Sequence, residues 1–136
     1  MRLRNKVALL AAVGPGMGRV TALLFAQEGA SVAVSARRSE HLGETVSRIQ
    51  SAGGDVAELA GDVSVKAEAD RIVQEVVKRF GRLDILYCGA GGNFEPTRSL
   101  SEVDEPYWRQ TLTNTMDSLY TLARAVHPVM KTQGGG

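Results

Sequence analysis

A chain of 136 residues is long enough for one ordinary domain with a single core, burying roughly two-thirds of the surface that its unfolded form exposes. Sixteen Lys and Arg against fifteen Asp and Glu leave a formal charge of +1, so no global field recruits nucleic acid or an anionic membrane, and any anion must be caught locally. The single cysteine, Cys88, excludes an internal disulfide and a multi-cysteine metal site and fits a reduced compartment.

The opening MRLRNKVALLAAV sets basic residues before an apolar run, as a secretory leader does. The run is only seven residues long, however, no small-residue cleavage site follows, and Gly-Pro-Gly interrupts it. No stretch approaches the ~20 apolar residues that span a bilayer. The expectation is a cytoplasmic protein with neither a membrane nor a nucleic-acid partner.

VALLAA from Val7 has the length and composition of a buried strand, and a helical period follows from about Met17 to Glu28. SVAVS from Ser31 predicts a second strand, and about Ser39 to Ser51 a second helix. DVAELA from Asp55 and a helix from about Ser64 to Phe80 come next, then LDILYC from Leu83 and a long helix from about Glu105 to Lys131. Gly29, the Ala52–Gly54 stretch and Gly81 follow helix ends; Asp62 or Ser64 suits the cap of the third helix, and Asp104 precedes a first turn containing Pro106. Strands alternating with helices predict one α/β domain over 1–136. Its form is a Rossmann-like parallel sheet in the order 3-2-1-4, with helices on both faces, ending before a fifth strand. There is no internal repeat, and the terminal Gly-Gly-Gly is the only low-complexity stretch.

Between the first strand and helix lie Gly14, Gly16 and Gly18 in GPGMG. Glycines there permit positive φ, let a phosphate approach the backbone and allow the helix, with its free N–H groups, to pack close to the strand. The same spacing serves a turn that is glycine for packing alone, and it also satisfies the GxGxG of S-adenosylmethionine-binding folds. The end of the second strand weighs between them. A carboxylate for ribose hydroxyls is expected about 20 residues after the glycines, and Ala36 and Arg37 stand there instead, with Arg38 next. A guanidinium with no carboxylate beside it suits a 2′-phosphate. Positive charge opening a helix opposes the dipole and so needs another reason.

At this point the chain resembles the short-chain dehydrogenase/reductase family over nearly its whole length. AAVGPGMG, Ala11 to Gly18, resembles the family's Thr-Gly-x-x-x-Gly-x-Gly, with Gly16 and Gly18 in agreement. Ala11 and Ala12 stand where the family has Thr and its first Gly, and Pro15 lacks a backbone N–H. GDVS, Gly61 to Ser64, resembles the Asp-Val pair that meets adenine. CGAG, Cys88 to Gly91, resembles Asn-Asn-Ala-Gly, with Cys88 and Gly89 replacing both asparagines. PYWRQTLTNTMDSLYTLARAVHPVM resembles the long fourth helix, with Asn114 at the place of the catalytic asparagine.

The resemblance implies a cofactor site made of Ala12, Gly14, Pro15, Gly16, Met17, Gly18, Ala36, Arg37, Arg38, Asp62, Val63, Cys88, Gly89, Ala90 and Gly91, with Asn114 catalytic and no metal. It implies an oxidoreductase that moves hydride between a nicotinamide cofactor and a small carbonyl or alcohol; Arg37 predicts NADP(H), with NAD(H) second, and the apolar edge of the fourth strand, left without a fifth beside it, predicts a homo-oligomer. Family members are roughly twice as long, and their Ser and Tyr-x-x-x-Lys elements follow a fifth strand that this sequence does not contain. Tyr120 with Arg124 one turn on is read as helix surface, since arginine hardly relays a proton near neutral pH. Asn93-Phe94, after the glycines, resembles the enoyl- and dienoyl-CoA reductase branch and raises an acyl-CoA-type substrate. Two other readings stand beside this one: a non-catalytic nucleotide-binding or interaction module, and an S-adenosylmethionine-dependent methyltransferase.

Overall fold

The computed structural model describes residues 1–91 and 98–136; Asn93 and Phe94 lie outside the described residues. Strands β1 (Val7–Ala11), β2 (Ser31–Ala36), β3 (Val56–Ala60) and β4 (Ile85–Cys88) form one parallel sheet in the order β3-β2-β1-β4. Helices α1 (Met17–Gln27), α2 (Gly43–Ser51) and α3 (Lys66–Phe80) connect the strands, and α4 (Glu105–Leu112) and α5 (Ser118–Thr132) follow β4. This is the Rossmann-like order that the sequence predicts.

A central parallel strand is covered on both faces, which is why β1 is apolar at every position and wholly buried. Successive side chains alternate between two cores. Ala8 and Leu10 meet Val32 and Val34 under α1 and α2, while Val7 and Leu9 meet Ala33 under α3 and α5. The helices bury stripes at helical spacing: Ala69, Ile72, Val73 and Val76 on α3, Leu122, Ala125 and Val126 on α5. Each fully buried Leu or Ile contributes roughly 1.5–3 kcal/mol. Gly81, with φ of +80°, ends α3 in the left-handed conformation that glycine adopts without strain.

Three helix boundaries differ from the sequence expectation. The second helix is split: Ser39–His41 forms a 3₁₀ turn after an extended Arg38, and α2 begins at Gly43. Neither Asp62 nor Ser64 caps α3. Asp62 Oδ1 instead accepts the Ser64 N–H at 3.0 Å and the Ser64 hydroxyl at 2.7 Å, a local turn that competes with helix and delays its start to Lys66. The long final helix is interrupted at Thr113–Asp117 by a π-helical turn between α4 and α5. Its start is as expected: Asp104 caps α4 by accepting the Tyr107 N–H at 2.8 Å, with Pro106 in the first turn.

The two sheet margins are finished differently. Along β3, Glu58 is exposed, Arg79 pairs with Asp55 at 2.6 Å, and the Arg71 guanidinium donates to the Ala60 carbonyl at 2.5 Å. Charges of this kind discourage a further strand. β4 carries Ile85, Leu86, Tyr87 and Cys88, all half-buried, and among the described residues it pairs only with β1.

At its start β4 is fastened to β1 by Asp84, only 6% exposed. The carboxylate accepts the Val7 N–H at 2.9 Å and two bonds from Arg82 at 2.8 and 2.6 Å, with Lys6 Nζ 3.7 Å away. The Arg82 bonds foremost, then the Val7 N–H and the charges of Arg82 and Lys6, hold this carboxyl below the usual aspartate range against the opposing effect of burial. Its stabilisation is therefore complete above the unfolded value of about 3.9 and is lost as pH falls below it. Asp84→Asn should cost about 1.5–3 kcal/mol in urea unfolding at pH 7, and the gap between variant and wild type should narrow below pH ~4. A gap independent of pH would show that the charge is not what holds the strands.

Expressed as residues 1–136 alone, the chain should self-associate at micromolar concentration in sedimentation, through β4 or the helix after it. A monodisperse monomer with protected β4 amides would show that the margin is covered from within.

Candidate functional site

All four strands end at the same side of the sheet, beside the reversal of strand order between β1 and β4. Loops there converge because every parallel strand delivers its carboxyl end to one edge. After β1 the chain turns at Ala12, whose φ is +58°. The left-handed conformation expected within the glycines falls instead on this alanine; none of Gly14, Gly16 and Gly18 has positive φ. The glycines serve space. A Cβ on Gly18 would lie 3.1 Å from Val13 Cα, so its absence lets α1 close onto the loop. At Gly14 and Gly16 an added Cβ would meet nothing within 4 Å, leaving an open cradle. Gly16 caps α1 without a side chain and the first turn has no acidic residue, so free N–H groups and the positive dipole end remain for an anion.

The β4 end packs on this turn. Gly89 donates its N–H to the Ala11 carbonyl at 2.9 Å. A Cβ there would lie 3.0 Å from the Tyr87 ring and 3.1 and 3.2 Å from the carbonyl oxygens of Ala12 and Ala11. The replacements at Ala12 and Gly89 are thus neighbours in space.

At the end of β2, Ala36 is buried and Arg37 is exposed. Among the described residues Arg37 makes no hydrogen bond or ion pair, whereas Arg38 lies 3.9 Å from Glu40. After β3, Asp62 spends one oxygen on Ser64 and faces the cavity beside Val63. The Thr121 hydroxyl of α5, buried, donates to the Val63 carbonyl and so ties the last helix to this turn.

Asn114 sits inside the π-helical turn, where Gln110 Nε2 donates to its Oδ1 at 2.9 Å. Such one-turn bulges re-aim side chains and recur at functional positions.

These loops enclose a cavity of about 620 Å³, within the range of small-molecule and cofactor sites. Of the predicted residues, Ala12, Gly14, Pro15, Ala36, Arg37, Arg38, Asp62, Val63, Gly89, Ala90, Gly91 and Asn114 line it together. Gly16, Met17, Gly18 and Cys88 do not; Met17 points to solvent, Gly18 packs on Val13, and Cys88 packs with the α3–α5 core. Val13, His41, Gly61 and Ser118 also line the cavity and were not anticipated. Ser118 stands one turn after Asn114 on the same helix, a spacing that would have found it. Tyr120 is 65% exposed and outside the cavity. Among the described residues no group of three His, Cys, Asp or Glu is arranged to hold a metal ion, and no helix is long and apolar enough to cross a membrane.

The residues fit a dinucleotide: an open glycine cradle at a helix N-terminus, an acceptor at Asp62 and a cation at the end of β2. Comparison with known proteins gives the family. The profile of the family described as short chain dehydrogenase matches residues 6–136. An uncharacterized oxidoreductase of Thermotoga maritima is 37% identical over 136 residues, all of this chain and 53% of the relative. BbsD of Thauera aromatica, a subunit of a hydroxy(phenyl)methylsuccinyl-CoA dehydrogenase, is 33% identical over 93% of this chain and 50% of its own length. A solved structure described as a short-chain dehydrogenase/reductase from Burkholderia xenovorans superposes with a TM-score of 0.90 at 35% identity, covering 99% of this chain and 55% of that one. The chain thus spans about half the length of the curated relatives it matches.

A left-handed alanine costs about 1–2 kcal/mol relative to glycine, partly offset by the greater freedom of unfolded glycine. Ala12→Gly should therefore raise unfolding stability by about 0.5–1 kcal/mol, read as an upward shift of the urea midpoint. Lower stability in this variant would mean that Ala12 is held by its methyl group rather than strained.

Proposed function

Because this chain belongs to the short-chain dehydrogenase family, whose members use a nicotinamide cofactor, we propose that it forms the NADP(H)-binding part of a reductase or dehydrogenase. The cofactor, when bound, supplies a hydride to a carbonyl carbon or takes one from an alcohol. The work of residues 1–136 is to hold and orient. The Gly14–Gly16 cradle and the α1 N-terminus receive the pyrophosphate charge, and Asp62 accepts from the adenine amino group with Val63 beside it. The Ala90-Gly91 backbone borders the nicotinamide end, and Asn114, oriented by Gln110, holds the polar network next to the reacting centre. The general acid lies outside residues 1–136, as the missing Ser and Tyr-x-x-x-Lys elements imply, so these residues alone are inactive.

The observation that carries the cofactor choice is the end of β2: an unengaged Arg37 faces the cavity where a carboxylate would otherwise bind a ribose hydroxyl. A 2′-phosphate satisfies that guanidinium by charge and by paired hydrogen bonds. The substrate is a small carbonyl or alcohol. The acyl-CoA class draws support from the name of the Thauera relative, and the full protein works as a homo-oligomer in the cytoplasm.

Arg37→Asp in the intact protein should cut the affinity for NADP⁺ by tenfold or more while leaving NAD⁺ binding within about threefold, since one charge-assisted pair is removed and a repulsion added. An unchanged ratio of the two dissociation constants would remove Arg37 from the phosphate site.

A further inference from the structure

We infer that His41 is a further selectivity residue of the same site, donating to the 2′-phosphate beside Arg37. This rests on the NADP(H) reading above. The 3₁₀ turn closes through the His41 N–H to the Arg38 carbonyl at 3.3 Å and the Leu42 N–H to the Ser39 carbonyl at 2.8 Å. Leu42, directly after it, is fully buried in the α1–α2 core. The core therefore fixes the backbone of the turn, while the imidazole stays exposed on the cavity wall with Arg37 and Arg38.

The arrangement is one of unequal engagement. Arg38 has Glu40 within 3.9 Å, both side chains largely exposed. Among the described residues neither the Arg37 guanidinium nor the His41 imidazole has a hydrogen-bond or ion-pair partner. A phosphate monoester presents three terminal oxygens, and a guanidinium fork occupies two of them. The third is left for a single-point donor, which a ring N–H is. His41 satisfies it without drawing Arg38 away from Glu40.

An imidazole on that wall has one other use, stacking against adenine, and the two separate cleanly. The intact protein, its His41→Ala variant and its His41→Lys variant are titrated calorimetrically with ADP-ribose and with 2′-phospho-ADP-ribose. His41→Ala should weaken the phosphorylated ligand about tenfold, the loss of one hydrogen bond to a charged group, and leave ADP-ribose unchanged. His41→Lys should restore the difference, since lysine supplies a donor but no ring. Equal weakening of both ligands by His41→Ala would assign the ring to adenine and overturn the inference, as would no change in either. A wild-type protein that binds the two ligands equally defeats the NADP(H) reading itself; a wild-type preference that survives His41→Ala defeats only the role of His41.

Discussion

Everything in this chain is arranged around a strand that has no side facing water. β1 is hydrogen-bonded on both edges, to β2 and β4, and covered on both faces by helices. Its side chains have no freedom to contribute chemistry, so chemistry is confined to where it ends. The entrance end is fastened by Asp84, the exit end by the bond from the Gly89 N–H to the Ala11 carbonyl. Between those two attachments the register of β4 against β1 is held at both ends.

A nearly neutral molecule must gather anions by placement. Here the gathering elements are of three physical kinds, a helix dipole, backbone N–H groups in an open cradle, and cationic side chains at the end of the neighbouring strand. None is strong alone in water. Held on one rigid edge by a sheet that cannot shift register without exposing its apolar faces, they converge on one cavity. The same sheet explains why the cavity is lined mostly by small residues: turns that converge beside the topological reversal leave little room for side chains.

The architecture was legible because parallel strands buried on both faces are written as short unbroken apolar runs, and VALLA and SVAVSA have no competing reading as surface. The place of Arg37 on the cavity wall was legible through its spacing from the glycines. What stayed hidden was set by local competition. The Asp62–Ser64 turn takes hydrogen bonds that a helix would otherwise use, and nothing in the pattern says which side will prevail. The π-helical turn at Thr113–Asp117 leaves the apolar period nearly intact on either side. His41 is hidden in the sequence because Ser39–Ser51 has the pattern of one continuous helix, and the 3₁₀ turn that carries His41 to the cavity wall leaves no mark in it. The strain at Ala12 was invisible for a simpler reason: three glycines nearby offered themselves for the left-handed conformation, and none of them takes it.

The hydroxyl of Thr121 gives this arrangement a thermodynamic coupling. It joins α5, the helix that follows the π-helical turn of Asn114, to the carbonyl of Val63 in the turn after β3. The bond has both its ends in the fold, so loosening the turn removes an anchor of the helix, and fraying the helix removes an anchor of the turn. The same hydroxyl also lies 2.9 Å from the Asp117 carbonyl and 3.1 Å from that of Ser118, so one side chain holds the end of the π-helical turn, the start of α5 and the turn after β3 as a single unit.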